Sequence, residues 1–414
     1  MRATAIHPAF HLAGVHYGIR GKLTRQARAL EAAGQAVVKL NIGNPGRFGF
    51  HVPEHLTTAI AAHLADSDAY CHEQGLESAR EAILATQRAR GVGIPGIEQI
   101  FIGNGVSELI DLALRALLNP GDQVLLPAPD YPLWSAATVL NGGVPRYYTC
   151  PASRGHLPDP DEIESLCGPR TRAIVLINPN NPTGACYPRA LLERIIEIAE
   201  RRNLLLLSDE IYDGIRYDEA PFTPLASLTY DVPCVTFAGL SKVHLACGFR
   251  VGWATLSGAA RRVEGFRDAL QLLSALHLCA NVPAQWAIVP ALTGPDTISA
   301  LTRAGGRLHE SRRAVLEGVA RSRFLECVTP GGALYAFPSV RGDALPVFED
   351  EVFALRLLDE EHVLVVPGSG FNLPASRHFR ITLLPEAEVL TDVFARIERV
   401  LVRMVEEQAS TRAA

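Results

Sequence analysis

A lysine at the end of a β-rich run, with an arginine eight residues further on, has the means to hold a phosphorylated carbonyl compound. That pair is Lys242 and Arg250, in the run GLSKVHLACGFRVGW at 239–253. A lysine amine forms an imine with a carbonyl once it has lost its proton, which desolvation or neighbouring cations favour. A guanidinium presents a fork of donors that matches a phosphate. A Ser-Lys pair alone is common, and a surface lysine is its ordinary reading. Here Gly239, Ser241, Lys242, Gly248, Arg250 and Gly252 fall in one short motif, and the surface reading loses force.

Three further runs carry polar groups at the ends of apolar segments. In LLLLSDEIYDGI, Asp209 closes such a segment. A buried carboxylate needs a cation or donors, and a protonated pyridine nitrogen would serve, with the ring becoming an electron sink. The alternative is a helix-starting Asp with Glu210 in the first turn. Tyr212 lies three residues on, within reach of the same pocket. In INPNNPTGACY, Asn181 follows a strand and suits a hydrogen bond to a phenolic oxygen, although the run also reads as a turn-rich loop. In IGNGVSELI, the backbone N–H groups of Gly105, Val106 and Ser107 sit at a helix start and suit a phosphate. An ordinary N-cap by Ser107 would look the same. PAPDYPLW adds Tyr131, whose ring could stack on a flat ligand.

These residues need a scaffold that brings strand ends together. Apolar β-rich runs at 99–103, 123–127, 172–178, 203–209, 234–239 and 250–256 alternate with amphipathic helical patterns such as 107–118 and 189–202. Nearly continuous apolar character suits strands covered on both faces. The alternation predicts an α/β domain with a mostly parallel sheet, whose ligands collect at the carboxyl ends of the strands. From 305 onward the pattern changes: helix 307–321, strand 333–338, helix 349–361, strands 363–366 and 378–383, and a final helix 386–407. That predicts a smaller α+β domain, with the last seven residues as a frayed tail.

A chain of 414 residues exceeds one ordinary core, so one large and one smaller domain are expected. The net charge of −5 leaves no basic footprint for nucleic acid or an anionic membrane, so an anionic substrate would need local arginines. The eight cysteines include no C-x-x-C pair, and a reduced, cytoplasmic setting is expected. The run 269–295 lacks any charged residue and has the length of a membrane span. His277, Asn281, Gln285, Pro283 and Pro290 interrupt it, and a buried interdomain or subunit-contact segment is expected instead. His51 and His55 are spaced like metal ligands, with His63 beyond. Pro53 and Glu54 starting a surface helix is the preferred reading, and no metal is expected.

The four motifs, in this order, resemble the class I/II aminotransferases of the fold type I pyridoxal-phosphate enzymes. The similarity runs from about Tyr17 to Val400. It is greatest to the bacterial glutamate–pyruvate (alanine) aminotransferase subgroup, through KLNIGNPGRFGF, IGNGVSELI, PAPDYPLW, INPNNPTGA, SDEIYD, LCANVPAQ and HFRITLLP. The resemblance implies a large cofactor-binding domain (51–304) with a mostly parallel seven-stranded sheet between helices. It also implies a smaller α+β domain (305–414), to which part of the arm 1–50 contributes.

The resemblance assigns roles residue by residue. Lys242 would hold pyridoxal 5′-phosphate as a Schiff base, and Asp209 would pair with its ring nitrogen. Asn181 and Tyr212 would bind the phenolic oxygen, and Tyr131 would cover the ring. Gly105, Val106, Ser107, Ser241 and Arg250 would bind the phosphate. Tyr70 would reach the phosphate of a second subunit, implying a homodimer with shared active sites. Arg380 would grip the substrate α-carboxylate, and Gly43 would contribute a backbone contact. Arg20 is the candidate for a second substrate carboxylate. The implied reaction is amino transfer between an L-amino acid and a 2-oxo acid, with alanine and 2-oxoglutarate as the leading pair. Other amino-acid specificities, or a lyase or oxidase on the same scaffold, are the alternatives. The stretch from Val243 to Cys247, and Gly46 with Arg47, depart from the subgroup's usual residues and bear on specificity.

Overall fold

The computed structural model describes residues 6–15 and 21–413. Its centre is a seven-stranded sheet: β1 (Ile100–Gly103), β2 (Gln123–Ala128), β3 (Val144–Thr149), β4 (Thr171–Ile177), β5 (Leu205–Asp209), β6 (Cys234–Gly239) and β7 (Gly252–Ser257). The order across the sheet is β1-β7-β6-β5-β4-β2-β3. Only β7 runs against its neighbours, and the remaining pairs are parallel.

The apolar runs form strands because both faces of the sheet are covered. Side chains alternate along a strand. Val124, Val175, Leu207 and Val235 therefore enter one core with Leu109, Leu112 and Trp134. Leu125, Ile174, Leu176 and Leu206 enter the other with Leu192, Ile195 and Ile198. The first core is closed by α1 (Val106–Leu117), α2 (Leu133–Leu140) and α4 (Ala260–Leu276). The second is closed by α3 (Arg189–Arg202).

The C-terminal part packs α5 (Arg307–Arg321), α6 (Asp350–Glu361) and α7 (Ala387–Ala413) on a small antiparallel sheet. That sheet is β8 (Tyr335–Ala336), β9 (Val366–Pro367) and β10 (Phe379–Thr382), with β10 central. Leu308, Val315, Phe353, Phe379, Leu390 and Ile397 form its core, which also takes in Leu40, Tyr212, Ile215 and Ile298 from earlier in the chain. The segment Val38–Lys39 pairs in parallel with Val363–Leu364, tying the arm to this part.

Several expectations differ in detail. β3 has no counterpart among the strands read from the sequence, because its burial alternates and only Tyr148 is fully covered. The last sheet strand begins at Gly252 rather than at residue 250, because Arg250 sits at φ 54°, in the left-handed region, where a strand cannot start. The expected frayed tail is instead the last turns of α7, which runs to Ala413. The charge-free run 269–295 is the end of α4, a turn and two short helices, Val282–Gln285 and Ile288–Thr293. Among the described residues no helix is long and apolar enough to cross a membrane. Pro53 precedes the helix Glu54–Ala62, and His63 stacks on Trp286 at 4.1 Å.

Candidate active site

The site lies where the carboxyl ends of β1, β2, β4, β5 and β6 meet the C-terminal part. Because β7 runs the opposite way, its beginning lies at that same edge, and Arg250 arrives there with it. A cavity of about 180 Å³ opens at this place. Gly43, Val106, Ser107, Tyr131, Asn181, Asp209, Tyr212, Ser241, Lys242, Arg250 and Arg380 all line it.

Asp209 ends β5 on the cavity floor and is almost fully covered. Its Oδ2 accepts from the Trp134 indole N–H at 3.2 Å and its Oδ1 from the Ile211 N–H at 3.3 Å. Burial pushes its carboxyl up to about 6, against the pull of those two donors and of the Lys242 charge. No helix follows it: residues 211–214 form a turn, so the helix-start reading of Asp209 does not hold. The neighbouring Glu210 is also buried, but it accepts from Ser208 Oγ and Leu225 N and does not line the cavity.

Lys242 follows β6 and is half-buried. Its Nζ donates to the Gly43 carbonyl at 2.8 Å and lies 3.6 Å from Cys247 Sγ. Gly43 has no room for a side chain, since a Cβ there would stand 2.2 Å from the Tyr335 hydroxyl. Asn181 follows β4, and its Oδ1 accepts from Arg380 Nη1 at 2.9 Å. Tyr212 is buried, its hydroxyl is 3.2 Å from that of Tyr335, and burial holds its pKa well above the ordinary tyrosine value.

Arg380 comes from β10 and is 2% exposed. A second donor, Nη2, reaches the Asn41 carbonyl, and Nε has no partner. The guanidinium lies against two aromatic rings, Tyr335 at 4.2 Å and Phe371 at 4.8 Å. Among the described residues no carboxylate lies within ion-pair distance of it. A buried cation answered only by amide oxygens and ring faces is suited to an incoming anion.

The far end of the cavity is the start of α1. Asn104 N–H is taken by Glu108 Oε2 at 2.6 Å. The first N–H groups of the helix, at Val106 and Ser107, have no intrahelical acceptor. Gly105 sits at φ +89°, and a Cβ there would meet Arg250 Nη2 at 2.6 Å. Arg250 donates once to the Cys247 carbonyl, at 3.2 Å. Ser241 lies beside it. Free amides at a positive helix end, with a guanidinium above them, form an anion site.

Tyr70 is 77% exposed and does not line its own chain's cavity. Arg20 lies outside the described residues. The structure adds Trp134, Tyr335, Asn41 and Cys247 to the site. Trp134 and Cys247 stand inside motifs that the sequence singles out. Asn41 stands in the run KLNIGNPGRFGF, two residues before Gly43, whereas Tyr335 comes from a distant segment with no local signal. Next to Tyr131, Asp130 accepts from Asn372 Nδ2 at 2.8 Å, a polar link from β2 to the C-terminal part.

A parallel-rich sheet, a lysine and a carboxylate at adjacent strand ends, and an anion site at a helix start define the class I and II aminotransferases, and the chain belongs to that family. The family described as "Aminotransferase class I and II" matches residues 35–397. Glutamate-pyruvate aminotransferase AlaA of Escherichia coli K12 is 45% identical over 394 residues, covering 94% of this chain and 97% of that protein. The alanine aminotransferase of Mycobacterium tuberculosis H37Rv is 44% identical, covering 96% of this chain and 92% of its own. A crystal structure of an aminotransferase from Escherichia coli superposes with a TM-score of 0.94 at 44% identity, covering 96% of this chain and 99% of that one.

Proposed function

We propose that the protein is a pyridoxal-phosphate-dependent alanine aminotransferase. It moves the amino group of L-alanine to 2-oxoglutarate, giving pyruvate and L-glutamate. The observation that carries the reading is the meeting of Lys242, Asp209 and Arg380 in one cavity. The relatives named alanine or glutamate-pyruvate aminotransferase support the substrate pair.

The residues fit the cofactor. Asp209 is a buried carboxylate that forms no ion pair among the described residues, and a protonated ring nitrogen would supply its cation. The Gly105 turn, the first amides of α1, Ser241 and Arg250 would hold the phosphate. Tyr131 would lie on the ring, and Asn181 and Tyr212 would hold its phenolic oxygen. When bound, the cofactor supplies an electron-withdrawing ring that stabilises negative charge at the substrate Cα.

The chain's own groups do the rest. Lys242 Nζ is the covalent attachment point. Freed as an amine, it would be the base that takes the proton from the substrate Cα and delivers it to the cofactor side of the C=N bond, a transfer worth about 10²–10⁴-fold. Arg380 binds the α-carboxylate with its fork, and the absence of a side chain at Gly43 lets the Tyr335 hydroxyl stand against that glycine. One oxo acid leaves before the second enters, so the kinetics are ping-pong. Tyr70 would complete the phosphate site of a second subunit, which makes the working form a homodimer. Arg20 would meet the distal carboxylate of 2-oxoglutarate. The division into 1–50, 51–304 and 305–414, and a cytoplasmic setting suited to eight free thiols, belong to the same reading.

The test is a half-reaction screen followed by absorbance, with alanine, glutamate, aspartate, valine and basic amino acids. Fast conversion by alanine and glutamate alone is expected. A preference for a basic or aromatic amino acid would overturn the substrate assignment. Ammonia released without a second oxo acid would point to a lyase. Full turnover in Lys242→Ala would remove the lysine from its role.

A further inference from the structure

We propose that Tyr335 is a positioning residue that couples the carboxylate grip of Arg380 to the hydroxyl of Tyr212. The inference rests on the aminotransferase reading of the cavity. Tyr335 is fully covered in β8. Its ring faces the Arg380 guanidinium at 4.2 Å and meets the Tyr212 ring edge-on at 5.9 Å. Its hydroxyl reaches the Tyr212 hydroxyl at 3.2 Å. The same hydroxyl sits over Gly43, whose carbonyl accepts from Lys242. One phenol thus touches the substrate-binding arginine, the tyrosine that faces the cofactor and the glycine that receives the lysine.

Filling space alone would need only a phenylalanine. The hydroxyl is committed instead to another hydroxyl, in a pocket where Lys242, Arg380 and Cys247 face Tyr335, and Tyr131 and Arg380 face Tyr212. As the structure stands, Tyr212 donates to Tyr335. With Tyr212's one proton drawn to the cofactor's phenolic oxygen, Tyr335 turns to donate to the Tyr212 oxygen. Hydrogen bonds in a chain polarise one another, so Tyr335 strengthens Tyr212's hold on an ionised oxygen. Its ring, together with that of Phe371, keeps the guanidinium plane aimed at the substrate carboxylate.

Two variants of the cofactor-loaded protein separate the two contributions. Tyr335→Phe keeps the ring and deletes the hydroxyl, whereas Tyr335→Leu deletes both. One readout is the pH midpoint of the visible absorbance change without substrate. The other is the dissociation constant of 2-aminoisobutyrate, an amino acid with no Cα hydrogen. A less stabilised phenolic oxygen holds the proton on the neighbouring lysine-derived nitrogen more tightly. The Tyr335→Phe midpoint should therefore rise by about 0.5–1 pH unit, with binding within about twofold of the parent. Tyr335→Leu should show the same rise and bind about tenfold more weakly. In a Tyr212→Phe background, Tyr335→Phe should leave the midpoint unmoved. An unchanged midpoint in the single Phe variant, or an equal shift without Tyr212, overturns the coupling. A parent protein with no pH-dependent visible band would instead overturn the cofactor reading beneath it.

Discussion

Arg380 shows how one residue can announce its ligand. A guanidinium buried this deeply is ordinarily matched by a carboxylate. Here amide oxygens and two ring faces hold it, and Nε has no partner. Lysine would keep the charge and lose the fork. Arg380→Lys is therefore expected to raise KM for alanine about 10- to 100-fold, the worth of a charge-assisted hydrogen bond or two. The fall in kcat should be smaller. Steady-state kinetics measure both, and an unchanged KM would take Arg380 out of substrate binding. Residues of this kind were readable in the sequence because their chemistry is distinctive and local: Lys242 with Arg250, Asp209 with Tyr212. Tyr335 and Trp134 were not readable as site residues. A tyrosine or tryptophan in an apolar run looks like core, and only the chain's return at 335 brings that phenol to Tyr212.

At the level of elements, the reversed strand β7 sets the geometry of the anion site. Gly252 is paired with both Gly103 and Gly239. A Cβ on Gly252 would lie 2.6 Å from the Val106 nitrogen and 3.0 Å from the Gly105 carbonyl carbon. Those are backbone atoms of the turn that leads into α1, and they cannot move aside as a side chain could. Gly252→Ala should cost about 1–3 kcal/mol of stability, as overpacking typically does. It should also loosen the cofactor by about tenfold or more, because that turn is displaced. Thermal melts and a fluorescence titration with pyridoxal phosphate test the two effects. Tight cofactor binding in the variant would detach the glycine from the anion site. The strands were legible where both faces are buried, since such runs are apolar throughout, as in β4 and β5. β3 escaped because it is an edge strand with one covered face. In the C-terminal part the segments read as strands at 333–338, 363–366 and 378–383 do hold strands, shortened to two to four residues, whereas the two-residue strands Leu325–Glu326 and Ser339–Val340 are too short for periodicity to register.

Over the whole molecule, buried carboxyls and buried imidazoles act on the response to pH in opposite directions. Burial pushes Asp130 and Glu210 up to about 7 and Asp209 up to about 6. In an unfolded chain such groups titrate near 4. Between about pH 4 and 7 the folded protein therefore holds protons that the unfolded chain releases. These carboxyls make stability fall as pH rises through that window, while His378, pushed down to about 4 by burial, and His156 and His244, lowered for the same reason, pull the other way up to about pH 6.5. Glu361, held down to about 2 by Arg399 and Arg403, acts only at the acid end. Without cofactor the carboxyls should pull the melting temperature down between about pH 5 and pH 7, most clearly above about pH 6.5, where the imidazoles no longer oppose them. Loading the site, which places a cation against Asp209, should flatten part of that fall, and Asp209→Asn should flatten it in the empty protein. Melting scans at fixed ionic strength check this, and an Asp209→Asn profile that runs parallel to the parent's would contradict the raised carboxyl at Asp209.

The distribution of charge has one more consequence. The body carries a net −5, yet Lys242, Arg250 and Arg380 line the cavity beside a single carboxylate that burial disposes toward neutrality. A dianion approaching from far off meets weak repulsion, and it is drawn in only within the last few ångströms, where salt screens least. Capture at this mouth is thus a short-range event, governed by fit rather than by long-range steering, and a crowded, salty milieu does little to hinder it.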